Sequence, residues 1–180
     1  MRKSVLVAAL CGAALLATPV VAAIRAMNLS ELMAITNDTV LAQITAKNSF
    51  ASDYPFEGAV YTQLQLAGES LRTGEKFEGS VVFLGSHDPA DEFGTSEMPT
   101  LQDTRVGGRA VVFFGHDDAF PGGADVAFNL SCIYRVEDGF GTPVVMGKGE
   151  GSAFPDNIKL GDVRTAVKAE HLLQTGKAGK

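Results

Sequence analysis

Val60-Tyr61-Thr62-Gln63-Leu64-Gln65-Leu66-Ala67 alternates its side chains with a period of two. Val60, Thr62, Leu64 and Leu66 fall on one face and Tyr61, Gln63, Gln65 and Ala67 on the other, the pattern of a half-buried strand. Further strands read outward from this one. Thr39 to Ala46 sets Val40, Ala42 and Ile44 against Leu41, Gln43 and Thr45. Ser80 to Leu84 and Arg109 to Phe114 are continuous apolar runs closed by Gly85 and Gly115, as expected of strands covered on both faces. Val126 to Glu137 supplies another, Asp138-Gly139 a turn, and Pro143 to Met146 starts the last strand region. Gly147, Gly149 and Gly151 fall inside that last pattern and predict a bulge, sharp curvature or a close backbone approach. A phosphate-cradling loop is the sharper alternative, but it needs glycines between a strand and a helix.

Helical signals flank the strands. Asn28 and Glu31 have the spacing of a capping box, and Leu29, Leu32, Met33 and Ile35 give the turns that follow an apolar side. Asp162 predicts a cap for a helix to about Leu173, with a frayed tail over 175–180. Short strands without a βαβ rhythm point to a mainly β fold. The expectation is one domain over 24–174: a small, partly open antiparallel β-barrel, OB-like, with a short N-terminal helix and a C-terminal helix.

Residues 1–23 read as a secretory signal peptide. Arg2 and Lys3 precede the apolar run Val5 to Leu16, Pro19 breaks it, and Val21-Ala22-Ala23 offers a small-residue cleavage site. An uncleaved anchor is the rival, yet the run is rich in weakly apolar Ala, Gly and Val, and Pro19 interrupts it. Lipidation at Cys11 is rejected because Leu10 is too large for the position before the cysteine. The expected location is therefore periplasmic or extracellular.

The leader carries two of the fifteen Lys and Arg and none of the twenty-one acidic residues, so the mature chain holds a formal charge of −8. That charge disfavours nucleic acid and anionic lipid, leaving a protein or glycan of the envelope or exterior as the expected partner. Cys132 is the one cysteine outside the leader, which excludes an intramolecular disulfide in the mature chain. With Tyr134 and Val136 on its face of the strand pattern, it reads as a small buried hydrophobe.

No catalytic signature stands out. The serines lie in no strand–turn–helix elbow, and His171 falls on the last helix as a surface residue. His87 and His116 each follow an apolar strand and a glycine, and each is followed by an aspartate. If both strands end at one rim, His87, Asp88, His116 and Asp117 could form a divalent-metal site; ordinary solvated acidic loops are the bland alternative. No other cofactor is expected. Tyr54, Phe56, Phe93 and Phe120 lie in expected loops, where they would anchor a partner or plug the barrel ends. The expected binding loops are Lys47–Gly58, Ser86–Gly108 and His116–Asp125.

The order of segments resembles a family layout. Leu32 to Ala46, Val60 to Gly74, Val81 to Gly85, Val111 to Gly115 and a closing region from Tyr134 to Phe154 are similar to exported bacterial domains of unknown function. The same layout looks like the OB-type barrel of netrin-like and metalloproteinase-inhibitor domains. The resemblance implies a fold and a compartment. The animal inhibitors chelate a metal through a Cys at the mature N-terminus and carry disulfides; a start near Ile24 offers no such thiol, so inhibition of that kind does not carry over. The function expected is a non-catalytic binding module, with a metal-binding protein or metal-dependent enzyme as the alternative.

Overall fold

The barrel is built round a long first strand that pairs antiparallel with two others. In the computed structural model, which describes residues 27–88, 98–139 and 141–178, β1 (Asp38–Ser52) pairs from Val40 to Ser52 with β2 (Ala59–Ser70). The first part of β1, Asp38 to Gln43, also pairs with β4 (Arg109–Asp117). β2 pairs in turn with β3 (Lys76–Leu84), and β5 (Ala124–Val126) bridges β3 and β4. The order β1-β2-β3-β5-β4, returned to β1, is a closed five-stranded barrel compatible with an OB-like fold. All pairings are antiparallel except β3–β5, a single parallel pair of Val82 with Val126.

Three more strands extend outward from β4: β6 (Ile133–Gly139), β7 (Thr142–Val145) and β8 (Ile158–Lys159). A short helix, α1 (Leu29–Ile35), precedes the barrel, and α2 (Leu160–Ala178) follows it. Segment 1–23, expected from the sequence to be a leader, lies outside the described residues. Among the described residues, no helix is long and apolar enough to cross a membrane.

Local chemistry accounts for the helices. Asn28 Oδ1 accepts the Glu31 N–H and Glu31 Oε2 accepts the Asn28 N–H, each at 3.0 Å, completing the capping box. Seven residues cannot hold a helix in isolation; α1 is held by Leu32 and Met33, both fully buried. α2 drives Leu160, Val163 and Val167 into the same core. It begins before Asp162 and continues to Ala178, past the expected stop near Leu173 and through most of the expected frayed tail.

Several boundaries differ from the sequence reading. β1 runs on to Ser52, so the expected loop Lys47–Gly58 shrinks to 53–58. Lys47 to Ser52 lacks apolar alternation because it forms an arm paired only to β2, beyond the barrel wall. The expected strand Val126–Glu137 is interrupted. Asn129 Oδ1 accepts the Ser131 N–H at 2.8 Å and starts a 3-10 turn, Leu130–Cys132. Cys132 sits in that turn, fully buried, and burial raises its thiol pKa. Gly147, Gly149 and Gly151 lie after β7, in a loop rather than a strand. The close approach is nonetheless real: a Cβ on Gly147 would come within 2.4 Å of the Asp156 carbonyl carbon.

Candidate functional site

The arm of β1 and the chain leaving β3 form the walls of an open groove of about 730 Å³. Lys47 to Ala51 come from β1, Val60 and Thr62 from β2, and His87, Asp88 and Leu101 from the segment after β3. Cross-strand register sets Ser49 opposite Thr62. Gly85, at φ +106°, turns the chain so that Ser86 reaches Ser49. The turn works with a glycine there for a second reason: a Cβ would fall 2.1 Å from Met98 Sδ.

A hydrogen-bond chain of fixed direction runs beside the groove. Thr62 Oγ1 donates to the Gly85 carbonyl at 2.7 Å. Its one proton being committed, it accepts from Ser49 Oγ at 3.2 Å. By the same logic Ser49 accepts from Ser86 Oγ at 3.0 Å, and Ser86 accepts the Asp88 N–H at 3.0 Å. All three hydroxyl protons are thereby assigned, and none points to a histidine.

His87 stands apart from this chain. Its ring meets Phe83 edge-on at 6.2 Å between centroids, and its Nδ1 is buried with no hydrogen-bond partner. Burial lowers its pKa, aided by Lys47, while the Pro99 carbonyl and Asp103 act against the shift. Burial therefore favours the uncharged imidazole in the folded chain.

His116 has a different environment. It lies within β4, not in the loop expected from its position after Gly115, because β4 continues two residues further to pair with β5. Nδ1 is 3.0 Å from Asp125 Oδ1 and Nε2 is 3.4 Å from Asp118 Oδ1. The Asp125 hydrogen bond is the main reason its pKa is raised. Asp117 turns elsewhere, its Oδ2 accepting the Tyr54 hydroxyl at 3.1 Å and its Oδ1 the Ala119 N–H at 2.9 Å. Among the described residues, His87 and His116 share no hydrogen-bond partner. Among the described residues, no group of three or more His, Cys, Asp or Glu is arranged to hold a metal ion.

The loop aromatics also separate. Tyr54 and Phe120 meet edge-to-face at 5.8 Å, and Phe120 meets Tyr61 at 5.0 Å and Phe50 at 6.3 Å. With Val82 and Ala59 they form a second small core, and Phe120 is 7% exposed. Phe120 is thus a member of a small core separate from the main one. Phe56 is 45% exposed. Phe93 lies outside the described residues.

Of the groove residues, Lys47, Asn48, Ser49 and Leu101 lie within the expected binding loops but are not singled out there, and Thr62 reads only as a strand residue. Ser49 and Thr62 become neighbours only through the β1–β2 register, and that register was hidden because the arm read as a loop. Comparison of the chain with protein-family models, with curated proteins and with solved structures gives no match.

Proposed function

We propose that this chain is an exported, non-catalytic β-barrel module that binds a protein or glycan of the cell envelope or exterior. Binding takes place in the groove between the β1 arm and the chain after β3. The observation that carries the reading is the directed hydroxyl chain Ser86–Ser49–Thr62. Nucleophilic catalysis requires a base in reach of the attacking hydroxyl; here each hydroxyl proton is held by another oxygen. The groove instead offers a binding surface. Lys47, Asn48, Asp88 and the buried Nδ1 of His87 supply polar groups, while Phe50, Val60 and Leu101 supply apolar ones. OB-type barrels bind oligosaccharides and oligonucleotides on such surfaces, and the acidic charge disfavours the latter. The leader-like N-terminal sequence supports export.

The test is binding of the purified chain to an oligosaccharide panel and to envelope extracts, compared with a Ser49→Phe variant that fills the groove. Retention of a defined glycan or protein that falls at least about tenfold in the variant supports the reading. Retention unchanged by the variant, or none at all, overturns it. Stoichiometric zinc or calcium in elemental analysis of the purified chain would replace it with the metal-binding alternative at His87 and His116.

A further inference from the structure

A second cavity, about 360 Å³, lies behind the groove. Leu101 lines the groove, whereas Thr100 and Asp103 of the same turn line the cavity. The other walls are Arg135 from β6, Met146 to Lys148 after β7, Leu130 and Met98. Asp103 is 5% exposed. Its Oδ2 accepts the Thr100 N–H at 3.2 Å and the Lys148 ammonium at 2.9 Å. Lys148 is itself enclosed, its side chain 10% exposed and its Nζ 5.5 Å from the Tyr134 ring centre. These contacts satisfy Asp103 before Arg135 is considered.

Arg135 is held only by two loose ion pairs. Its NH1 stands 3.8 Å from Asp103 Oδ1, beyond hydrogen-bonding range. Its Nε is buried without a hydrogen-bond partner, 3.5 Å from Glu137 Oε1 but outside bonding geometry. Glu137 is half-exposed at the rim, where water screens it. The lining therefore holds two cations against one carboxylate. A buried guanidinium donor without an acceptor is costly, and an anionic ligand would supply the missing acceptor.

We propose that this cavity binds a small monoanionic carboxylate carrying a short apolar chain. The carboxylate sits on Arg135 and Lys148, and the chain lies against Met98, Leu130 and Met146. A guanidinium fork matches a carboxylate's two oxygens. The resident Asp103 repels a second negative charge, so a monoanion is favoured over phosphate. The volume is at the low end for ligand pockets, roughly 300–1,000 Å³, which limits the ligand to a few carbons beyond its head. This site is separate from the groove and does not depend on the function proposed above.

The experiment is an amide NMR titration of the full chain with sodium butyrate, butyramide and sodium phosphate. Butyrate is expected to give saturable shifts over 130–136 and 146–148, with Kd in about the millimolar range. Butyramide should bind at least about tenfold more weakly, and phosphate should leave those amides unmoved. Arg135→Gln should abolish the butyrate shifts while keeping the rest of the spectrum. Arg135→Lys, which retains charge without the fork, should weaken binding and serves if the glutamine variant does not fold. Absence of saturable butyrate shifts, equal binding of butyrate and butyramide, or unchanged affinity in the folded variants overturns the proposal. Phosphate binding tighter than butyrate overturns the assigned ligand class.

Discussion

His116 and Asp125 face each other in the β4–β5 ladder, with Nδ1 3.0 Å from Oδ1. β5 is three residues long and meets β3 through one pair, so this side-chain bond helps fasten the strand that closes the barrel. Asp125, Asp118 and Asp117 all act to raise the His116 pKa, against a smaller effect of burial. A raised folded-state pKa means the folded chain holds the proton more tightly than the unfolded one. The stabilisation is complete below the ordinary histidine value, about 6.5, and is lost as pH rises through the folded-state pKa. Urea midpoints measured from about pH 5 to about pH 9 should show this alkaline loss, and Asp125→Asn should remove most of it. An unchanged slope in the variant would contradict the assignment.

His87 should contribute the opposite slope. Its pKa is lowered by burial, so the folded chain prefers the neutral ring. The associated stability is complete above the ordinary value and is lost as pH falls through the folded-state pKa. His87→Gln should flatten the acid side of the same urea series and leave the alkaline side as it was. The two variants together separate the two histidines.

Gly85→Ala should destabilise the chain by about 2 kcal/mol, because an alanine at positive φ is strained. It would also press on Met98 and move the carbonyl that Thr62 donates to. Chemical denaturation measures the cost, and loss of groove binding should accompany it.

Phe120→Ala should cost about 3 kcal/mol, the usual range for a buried phenylalanine. Phe120 meets Tyr54, Tyr61 and Phe50, so its loss empties the centre of the second core. The near-ultraviolet circular dichroism of the two tyrosines should fall with it. A change below about 1 kcal/mol would mean that the ring does not hold this second core together.

Tyr134 is fully buried, and burial pushes its phenol pKa up to about 12. Its oxygen accepts the Ala153 N–H at 3.1 Å. Tyr134→Phe should remove the last step of an ultraviolet tyrosine titration and cost about 1 kcal/mol, the net value of one hydrogen bond.

The sequence reading succeeded where the signal is local. Val60 to Ala67 shows its alternation because one face packs inward along the barrel wall; Leu64 and Leu66 are buried and Gln63 and Gln65 are half-buried. The Asn28–Glu31 box is legible because both partners lie within one turn. The groove was only partly legible. His87 and Asp88 drew notice as titratable residues, but Ser49, Thr62 and Leu101 carry no motif and meet only through strand register and a returning loop. Asp103, Arg135 and Lys148 lie far apart along the chain, so their meeting in one cavity had no signature to read.

Residue order by itself set the mainly β character, the two flanking helices and most strand cores, since backbone period and capping are decided within a few residues. Folding in three dimensions decided which strands are neighbours, how far β1 reaches beyond the barrel, and where Asn129 breaks the expected long strand. It also parted the two histidines into unlike surroundings, one desolvated and one between carboxylates. Burial and electrostatic environment depend on contacts between distant segments, and the pattern of a single strand does not contain them.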